Sequence, residues 1–257
     1  MSIVDFYDEL APEYHLIYQD WNAAVERQSV ALDRLIRSRL PDAQSVLDCS
    51  CGIGTQALGL AGHGYKVHGT DVSERALDRA RVEAIRRGLD IVFTAWDIRD
   101  LERLQGTYDV VISCDNALPH LLTDHDIAQA FGAMCSKLRP GGLVAITVRD
   151  YAKTLVERPV TAAPRINPGP PRKVVVRLYD WDAPDSPMYT VHFLILTEGS
   201  TGWTVTHHSV RYRAIGRQAL TLAAANAGFT NIQWHEAEDI GFFQPAMTAL
   251  RAGDQGV

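Results

Sequence analysis

Two acidic residues and a glycine loop lie in one short stretch whose spacing could hold a nucleoside. Asp48 ends a predicted buried strand, Gly52 and Gly54 follow in a loop, and Asp71 ends the next predicted strand. Glycine has no Cβ, so the loop backbone can approach a ligand closely, and the helix predicted from Thr55 directs free N–H groups towards it. A carboxylate at the end of the second strand can accept hydrogen bonds from both ribose hydroxyls.

The loop favours a ligand with an amino group over a dinucleotide. A dinucleotide site has the pattern G-x-G-x-x-G, but the third glycine position here is Ala57. The carboxylate of Asp48 would repel a pyrophosphate, whereas it suits an ammonium group. The pattern Asp-x-x-Cys-Gly-x-Gly-Thr over residues 48–55 is similar to the first motif of class I methyltransferases, which implies S-adenosylmethionine as the donor. We assign three neighbouring residues to the same donor site: Ser50, Val72 and Cys114.

Trp96 and Asp97 follow the third predicted strand, where an adenine base could bind. The indole ring could cover one face of the base, and the carboxylate could accept a hydrogen bond from its exocyclic amine. The alternative is a tryptophan that only packs against the core.

A second group of polar side chains follows predicted strands four and five, at the edge where open α/β sheets bind ligands. Methyl transfer from a sulfonium is an in-line displacement, so a protein mainly has to align the acceptor and keep it deprotonated. Asn116 and His120 follow strand four, and Arg149 follows strand five. Tyr212, in a later strand, could close over an acceptor or could only pack in its sheet.

Three of these residues have a structural alternative. The planar guanidinium of Arg149 suits a carboxylate, but it could equally form a surface ion pair with Asp150 or Glu157. Asn116 could orient an amine or a carboxylate, or it could occupy a turn. His120 could contact the donor or take a proton at a pKa near neutrality, or it could be a core histidine.

The elements that must position these residues alternate regularly up to residue 149. Strands are predicted over 45–48, 66–71, 91–95, 108–114 and 143–148, with helical patterns between them, which indicates a parallel sheet with right-handed crossovers. Residues 159–171 are rich in proline and are predicted to be a loop. Strand-like runs over 174–180, 189–196 and 203–213 then predict an antiparallel meander.

We therefore expect an α/β protein with the Rossmann-like class I methyltransferase sheet, mostly parallel with an antiparallel last strand, and an antiparallel β insert after strand five. The expected domains are an N-terminal helical lid over 1–42 and a donor-binding core over 43–150. The two further expected domains are a β insert over 151–214, which caps the substrate, and a C-terminal segment over 215–257, which completes the core.

Composition narrows the class of partner. The 257 residues are 46% hydrophobic and carry a formal net charge of −6 without a lysine- or arginine-rich run, which argues against nucleic acid and anionic membranes. No apolar stretch approaches the roughly 20 residues that span a bilayer, and the N-terminus lacks a leader pattern, so we expect a cytoplasmic protein. The four cysteines fit no zinc spacing, and we expect reduced, packed thiols and no metal.

The chain resembles the glycine N-methyltransferase group of class I methyltransferases over most of its length. Besides the donor motif, the resemblance is carried by Asn116-x-x-x-His120, by Arg149-Asp150-Tyr151 and by Arg211-Tyr212-Arg213. It implies that Asn116 lies near the acceptor, that His120 lies near the donor, and that Arg149 grips the carboxylate of an amino acid. Its further implications concern the N-terminal segment, where Tyr18 and Trp21 form an aromatic lid and Arg27 binds the methionine carboxylate of the donor.

The chain departs from that group where the group has Gly-Asn-Ser, because this sequence has Asp115-Asn116-Ala117. The loss of a hydroxyl and the gain of an acid favour another small amine or amino acid over glycine. We therefore expect a methyltransferase that modifies a nitrogen of a small amine bearing a carboxylate. The alternatives are an O-methyltransferase that acts on a hydroxylated natural product with His120 as base, and a donor-binding module without catalysis. The oligomeric state is left open, with a homo-oligomer as one option.

Overall fold

Five parallel strands form the first part of the chain, as the alternation in the sequence predicts. The computed structural model describes residues 2–253. The parallel strands are β1 Ser45–Asp48, β2 Lys66–Asp71, β3 Val92–Ala95, β4 Tyr108–Ser113 and β5 Leu138–Thr147. Strand β1 pairs with β2 and β4, β2 also pairs with β3, and β4 also pairs with β5. The carboxyl ends of these strands therefore lie along one edge of the sheet.

Helices connect the strands and cover both faces of the sheet. Within the described residues the α-helices are α1 Ile3–Leu10, α2 Trp21–Arg39, α3 Thr55–Gly62, α4 Glu74–Arg86, α5 Asp124–Lys137, α6 Tyr151–Glu157, α7 Arg217–Asn226 and α8 Ala237–Ile240. Short 3₁₀ helices cover Tyr14–Ile17, Ile98–Arg103 and Leu118–His120. None of these helices is both long and apolar enough to cross a bilayer.

Two later strands complete the sheet in the antiparallel direction: β10 Phe229–His235 and β11 Ala246–Arg251. Strand β11 pairs with β5, and β10 pairs with β11, which gives the order β3-β2-β1-β4-β5-β11-β10. This topology confirms the predicted Rossmann-like sheet. Two apolar clusters of buried side chains lie on it, one including Leu32, Leu58 and Leu77 and the other including Phe131, Met134 and Phe229.

A separate antiparallel sheet follows β5, as predicted. It has four strands, whereas the predicted meander has three. Its strands are β6 Thr161–Asn167, β7 Lys173–Trp181, β8 Met188–Gly199 and β9 Gly202–Arg213, in that order. The prediction that 159–171 is only a loop is wrong, because β6 lies within it. Proline lacks an N–H but is tolerated in an edge strand, and the β6–β7 register shifts between Ala162 and Arg165, around Pro164.

The N-terminal segment joins the two sheets. Helix α1 was not predicted, although Ser2 and Asp5 form a reciprocal capping box at its start. Phe6 is buried and its ring centroid lies 5.6 Å from that of Phe193 on β8. The aromatic residues of this segment therefore lie between the donor edge of the first sheet and the inner face of the second sheet.

Candidate active site

The glycine loop and the carboxylate of Asp71 are assembled into one cradle. Gly52 and Gly54 have φ of +51° and +89°, backbone conformations that glycine adopts without strain. The Asp71 carboxylate accepts hydrogen bonds from the backbone N–H of Gly52 (2.8 Å) and of Ser73 (3.0 Å). A carboxylate has about four acceptor positions, so this group can still accept two hydroxyl groups of a ribose. Val72 is half-buried beside it.

Asp48 provides an acidic group directly behind this loop. The residue is fully buried, and its Oδ2 has no hydrogen-bond partner among the described residues. Burial raises the pKa of this carboxyl to about 8. A buried acceptor without a partner is costly, so a cationic group placed here is stabilised. These residues therefore fit the ribose and the amino group of S-adenosylmethionine.

The surrounding residues fix the loop in place. Ser50 Oγ lies 2.9 Å from Ser113 Oγ at the end of β4, and the adjacent Cys114 is buried. The buried indole of Trp21 donates a hydrogen bond of 2.9 Å to the hydroxyl of Thr55, the first residue of α3. Trp21 therefore fastens α2 to the donor loop, in addition to the lid role that the resemblance implies.

Trp96 and Asp97 lie beside Asp71, because the Trp96 backbone N–H donates to the Asp71 carbonyl (2.9 Å). Both side chains also have local partners. The Trp96 indole donates to the Asp100 carbonyl (2.7 Å), and the Asp97 carboxylate forms an ion pair with Arg99 (2.7 Å). These bonds hold the 3₁₀ helix that follows, and the adenine role of the two residues stays a prediction.

A cavity of about 870 Å³ lies between the N-terminal segment, the ends of β4 and β5, and the inner face of the second sheet. Five predicted site residues line it: Tyr18, Arg27, Asn116, Arg149 and Tyr212. The donor cradle lies next to it, since a Cβ on Gly52 would be 3.3 Å from Tyr14 Cε1, and Tyr14 also lines the cavity. The tertiary structure therefore brings the predicted acceptor residues together beside the predicted donor site.

Asn116 links the ends of β4 and β5. It is buried with φ of +68°, and its Oδ1 accepts hydrogen bonds from the backbone N–H of Arg149 (3.1 Å) and from Tyr151 Oη (3.0 Å). The Arg149 guanidinium lies 5.7 Å from the ring centroid of Tyr179 on β7. Arg149 forms no ion pair with Asp150, Glu157 or another carboxylate among the described residues, so the surface-pair alternative does not hold.

Asp115 is a further candidate site residue. In the sequence it stands out only because the glycine N-methyltransferase group has a glycine at this place. It has φ of +58°, and its Oδ2 accepts hydrogen bonds from Tyr18 Oη (2.6 Å) and Gln56 Nε2 (3.1 Å). Its Oδ1 is buried and has no partner among the described residues. Asp115 is one of the residues that line the cavity. Burial raises the pKa of this carboxyl. Two successive non-glycine residues in the left-handed region are strained, which is typical of functional sites.

His120 lies at the junction of the N-terminal segment and the second sheet. Its Nε2 is 2.6 Å from Tyr7 Oη, and its ring centroid is 4.2 Å from that of Tyr212. Burial lowers the pKa of His120 to about 3, so the expected pKa near neutrality is not found. At neutral pH the imidazole is uncharged, and its contacts support the wall formed by Tyr7 and Tyr212.

The half-buried imidazole should make the protein sensitive to acid. A folded-state pKa of about 3 lies below the ordinary 6.5, so the unfolded chain binds this proton first and stability falls as the pH decreases from 6.5 to 3. The loss amounts to about 1.4 kcal/mol per pH unit within this window. In urea titrations, His120→Gln should show a flatter decline than the wild type, whereas exposed His63→Gln should follow the wild type. Equal slopes for His120→Gln and the wild type would contradict this assignment.

The cysteines are free thiols, as expected. Cys49, Cys51 and Cys114 are buried, and burial raises the pKa of each thiol, so they are not poised as nucleophiles. Within residues 2–253 no group of three or more His, Cys, Asp or Glu side chains could hold a metal ion. His207 and His208 lie on opposite faces of β9, exposed and buried respectively.

The sequence is similar to known methyltransferases across the donor site. A family model described as "Methyltransferase domain" matches residues 46–142. A putative methyltransferase of Bacillus subtilis, YqeM, is 29% identical over 147 residues, which is 57% of this chain and 54% of that protein. A dTDP-4-amino-2,3,4,6-tetradeoxy-D-glucose N,N-dimethyltransferase of Saccharopolyspora spinosa is 32% identical over 56% of this chain and 55% of its own. The chain thus spans little more than half the length of these relatives.

The structural similarity extends over almost the whole chain. The structure of SAM-bound CalS10, an amino pentose methyltransferase from Micromonospora echinaspora involved in calicheamicin biosynthesis, superposes with a TM-score of 0.75 at 22% identity. It covers 94% of this chain and 95% of that one. At this identity the likeness establishes the fold alone, and the family match assigns a methyltransferase domain to residues 46–142. Residues 46–142 therefore match a methyltransferase domain, and almost the whole chain shares its fold with a methyltransferase whose structure contains bound SAM.

Proposed function

We propose that the protein transfers a methyl group from S-adenosylmethionine to a nitrogen of a small amine that also carries an anionic group. One observation supports this most directly. Among the described residues, Arg149, whose guanidinium has no carboxylate partner, and Asp115, whose buried Oδ1 has no donor, line the same cavity. Opposite charges on one wall suit an acceptor with both an ammonium and an anion, such as an amino acid.

The residues act by binding and orienting the acceptor. When bound, S-adenosylmethionine supplies an electrophilic methyl group on a sulfonium whose thioether is a good leaving group. Arg149 holds the acceptor anion, and the amide of Asn116 lies at the same junction. Asp115 accepts the ammonium proton, which frees the nitrogen lone pair for in-line attack. The aromatic wall of Tyr14, Tyr189 and Tyr212 excludes water.

The acid at position 115 favours nitrogen over oxygen as the methylated atom. A carboxylate attracts an ammonium but gives a neutral hydroxyl no comparable charge interaction. The O-methyltransferase alternative used His120 as base, and a pKa of about 3 makes that imidazole too weak a base for a hydroxyl. N,N-dimethyltransferases of amino sugars among the relatives also support nitrogen.

The test is methyl transfer from radiolabelled S-adenosylmethionine across a panel of small amines, amino acids and phenols. We expect turnover with amines that carry an anionic group, and a loss of at least about tenfold in kcat/KM for Asp115→Asn, since the lost interaction is a charged hydrogen bond. Preferential methylation of phenols would overturn the assignment of nitrogen. Tight donor binding without turnover of any compound would instead support the module without catalysis.

A further inference from the structure

The cavity contains two more arginines, on the inner side of the second sheet. Arg149 reaches it from the end of β5, Arg165 from β6 and Arg177 from β7. On β7, Arg177 lies two residues before Tyr179, so both side chains point to the same face. The three positive groups therefore come from three different strands and converge on one space.

Among the described residues these arginines differ from Arg172, just before β7, and from Arg211 on β9 in having no carboxylate partner. Arg172 pairs with Glu198 (3.1 Å), and Arg211 pairs with Asp182 (2.7 Å). By contrast, neither Arg165 nor Arg177 forms an ion pair within residues 2–253. Carboxylates therefore neutralise Arg172 and Arg211 outside the cavity, whereas the arginines inside the cavity have no carboxylate to neutralise them in the described structure.

Most acidic residues at the rim of the cavity are bound elsewhere. Asp150 caps α6, Glu157 pairs with Lys153 (3.7 Å), and Glu236 pairs with Arg217 (2.6 Å). Asp115 is bound on one side by Tyr18 and Gln56. Within residues 2–253 no acid that lines the cavity, Glu238 included, forms an ion pair with one of the three arginines.

The arrangement is electrostatically unfavourable for the protein alone. Arg177 is half-buried, and burial together with the charges of Arg149 and Arg165 lowers its pKa. Like charges held together in a partly desolvated cavity are stabilised when an anion binds between them. A cavity of about 870 Å³ is also within the range for drug-sized ligands.

We infer that the acceptor carries a second anionic group, a phosphate or a carboxylate, which binds to Arg177 and Arg165 while Arg149 holds the first. This inference rests on the proposed function and narrows its substrate class to doubly anionic amines. Arg177 provides the half-buried contact and Arg165, which is exposed, provides the outer one. A singly anionic amine would leave this second pair of arginines without a ligand.

The first test is calorimetric titration of the full chain with inorganic pyrophosphate and, in parallel, with succinate at constant ionic strength. We expect at least one anion to bind, about tenfold more weakly to Arg177→Gln and about threefold more weakly to Arg165→Gln, because each loses a charge-assisted contact. Arg172→Gln removes an equal charge just before β7, outside the cavity, and this variant should bind the anions as the wild type does. A stronger response to pyrophosphate assigns a phosphate, and a stronger response to succinate assigns a carboxylate.

Binding that is undetectable for both anions, or equal for the wild type and Arg165→Gln and Arg177→Gln, would overturn the inference. If Arg177→Gln does not fold, as judged by its melting transition, exposed Arg165→Gln decides the question.

Turnover separates this inference from the proposed function. Equal kcat/KM for serine and O-phosphoserine, and for alanine and aspartate, would contradict the second anion site and leave N-methyl transfer in place.

Discussion

Arg149→Ala should lower kcat/KM for the acceptor by roughly 100-fold, because two charge-assisted hydrogen bonds to an anion contribute about 3 kcal/mol together. The affinity for S-adenosylhomocysteine should change by less than about twofold, since the Arg149 side chain makes no hydrogen bond to the loop of Gly52 or to Asp71 in the described structure. The Arg149 backbone bond to Asn116 does not involve the removed side chain, so the loop should keep its shape. Steady-state kinetics and donor calorimetry measure the two effects separately.

Lys153→Met is the matched control for Arg149→Ala. Lys153 also lines the cavity and carries the same charge, but it is exposed and pairs with Glu157 (3.7 Å). Exposed pairs contribute little, so this variant should differ from the wild type by less than about threefold. An equal loss of donor and acceptor affinity in Arg149→Ala would show that the guanidinium does not act as an acceptor anchor.

Asp71→Ala should weaken S-adenosylhomocysteine binding by about 100-fold, because two hydroxyl groups lose a carboxylate acceptor at about 1.5 kcal/mol each. The carboxylate also accepts from the Gly52 backbone N–H (2.8 Å), so the loss includes the ordering of the glycine loop. Calorimetry with S-adenosylhomocysteine is the measurement, and thermal melting without ligand shows whether the variant is folded.

Asp78→Ala is a suitable comparison for Asp71→Ala. Asp78 is an exposed acid on α4 that pairs with Arg81, and its removal changes the net charge equally. We expect donor affinity at the wild-type level for this variant. If a folded Asp71→Ala variant binds the donor as tightly as the wild type, the ribose is held by other groups and the assignment of the donor cradle is wrong.

The geometry of the predicted donor loop follows almost entirely from local sequence. A buried strand, two glycines and an acid at the end of the next strand define a short βαβ segment whose geometry depends on neighbours in the chain. Gly52 and Gly54 have the positive φ that favours glycine, and Asp71 bonds directly to that loop. The adenine role of Trp96 and Asp97 is not settled in this way, since their side chains also bind local partners.

Edge pairing and capping account for the secondary structure that was missed. Pro164 disfavours a strand by its missing N–H, yet β6 forms because it is an edge strand that pairs with β7 in the described sheet, and the irregular register lies around Pro164. Helix α1 is marked by the capping box of Ser2 and Asp5, a signal that apolar spacing alone does not show.

The sequence by itself determined the fold class, the donor loop and the arginine that follows β5, because each depends on periodicity or on spacing within a short segment. Only the tertiary structure decided which charges meet in the cavity. Asp115, Arg149 and Arg177 lie on β4, β5 and β7 or just beyond their ends, and their distances in the chain give no indication of contact. Packing of the second sheet against the N-terminal segment brings these charges together, and it also buries His120 so that its proton affinity falls.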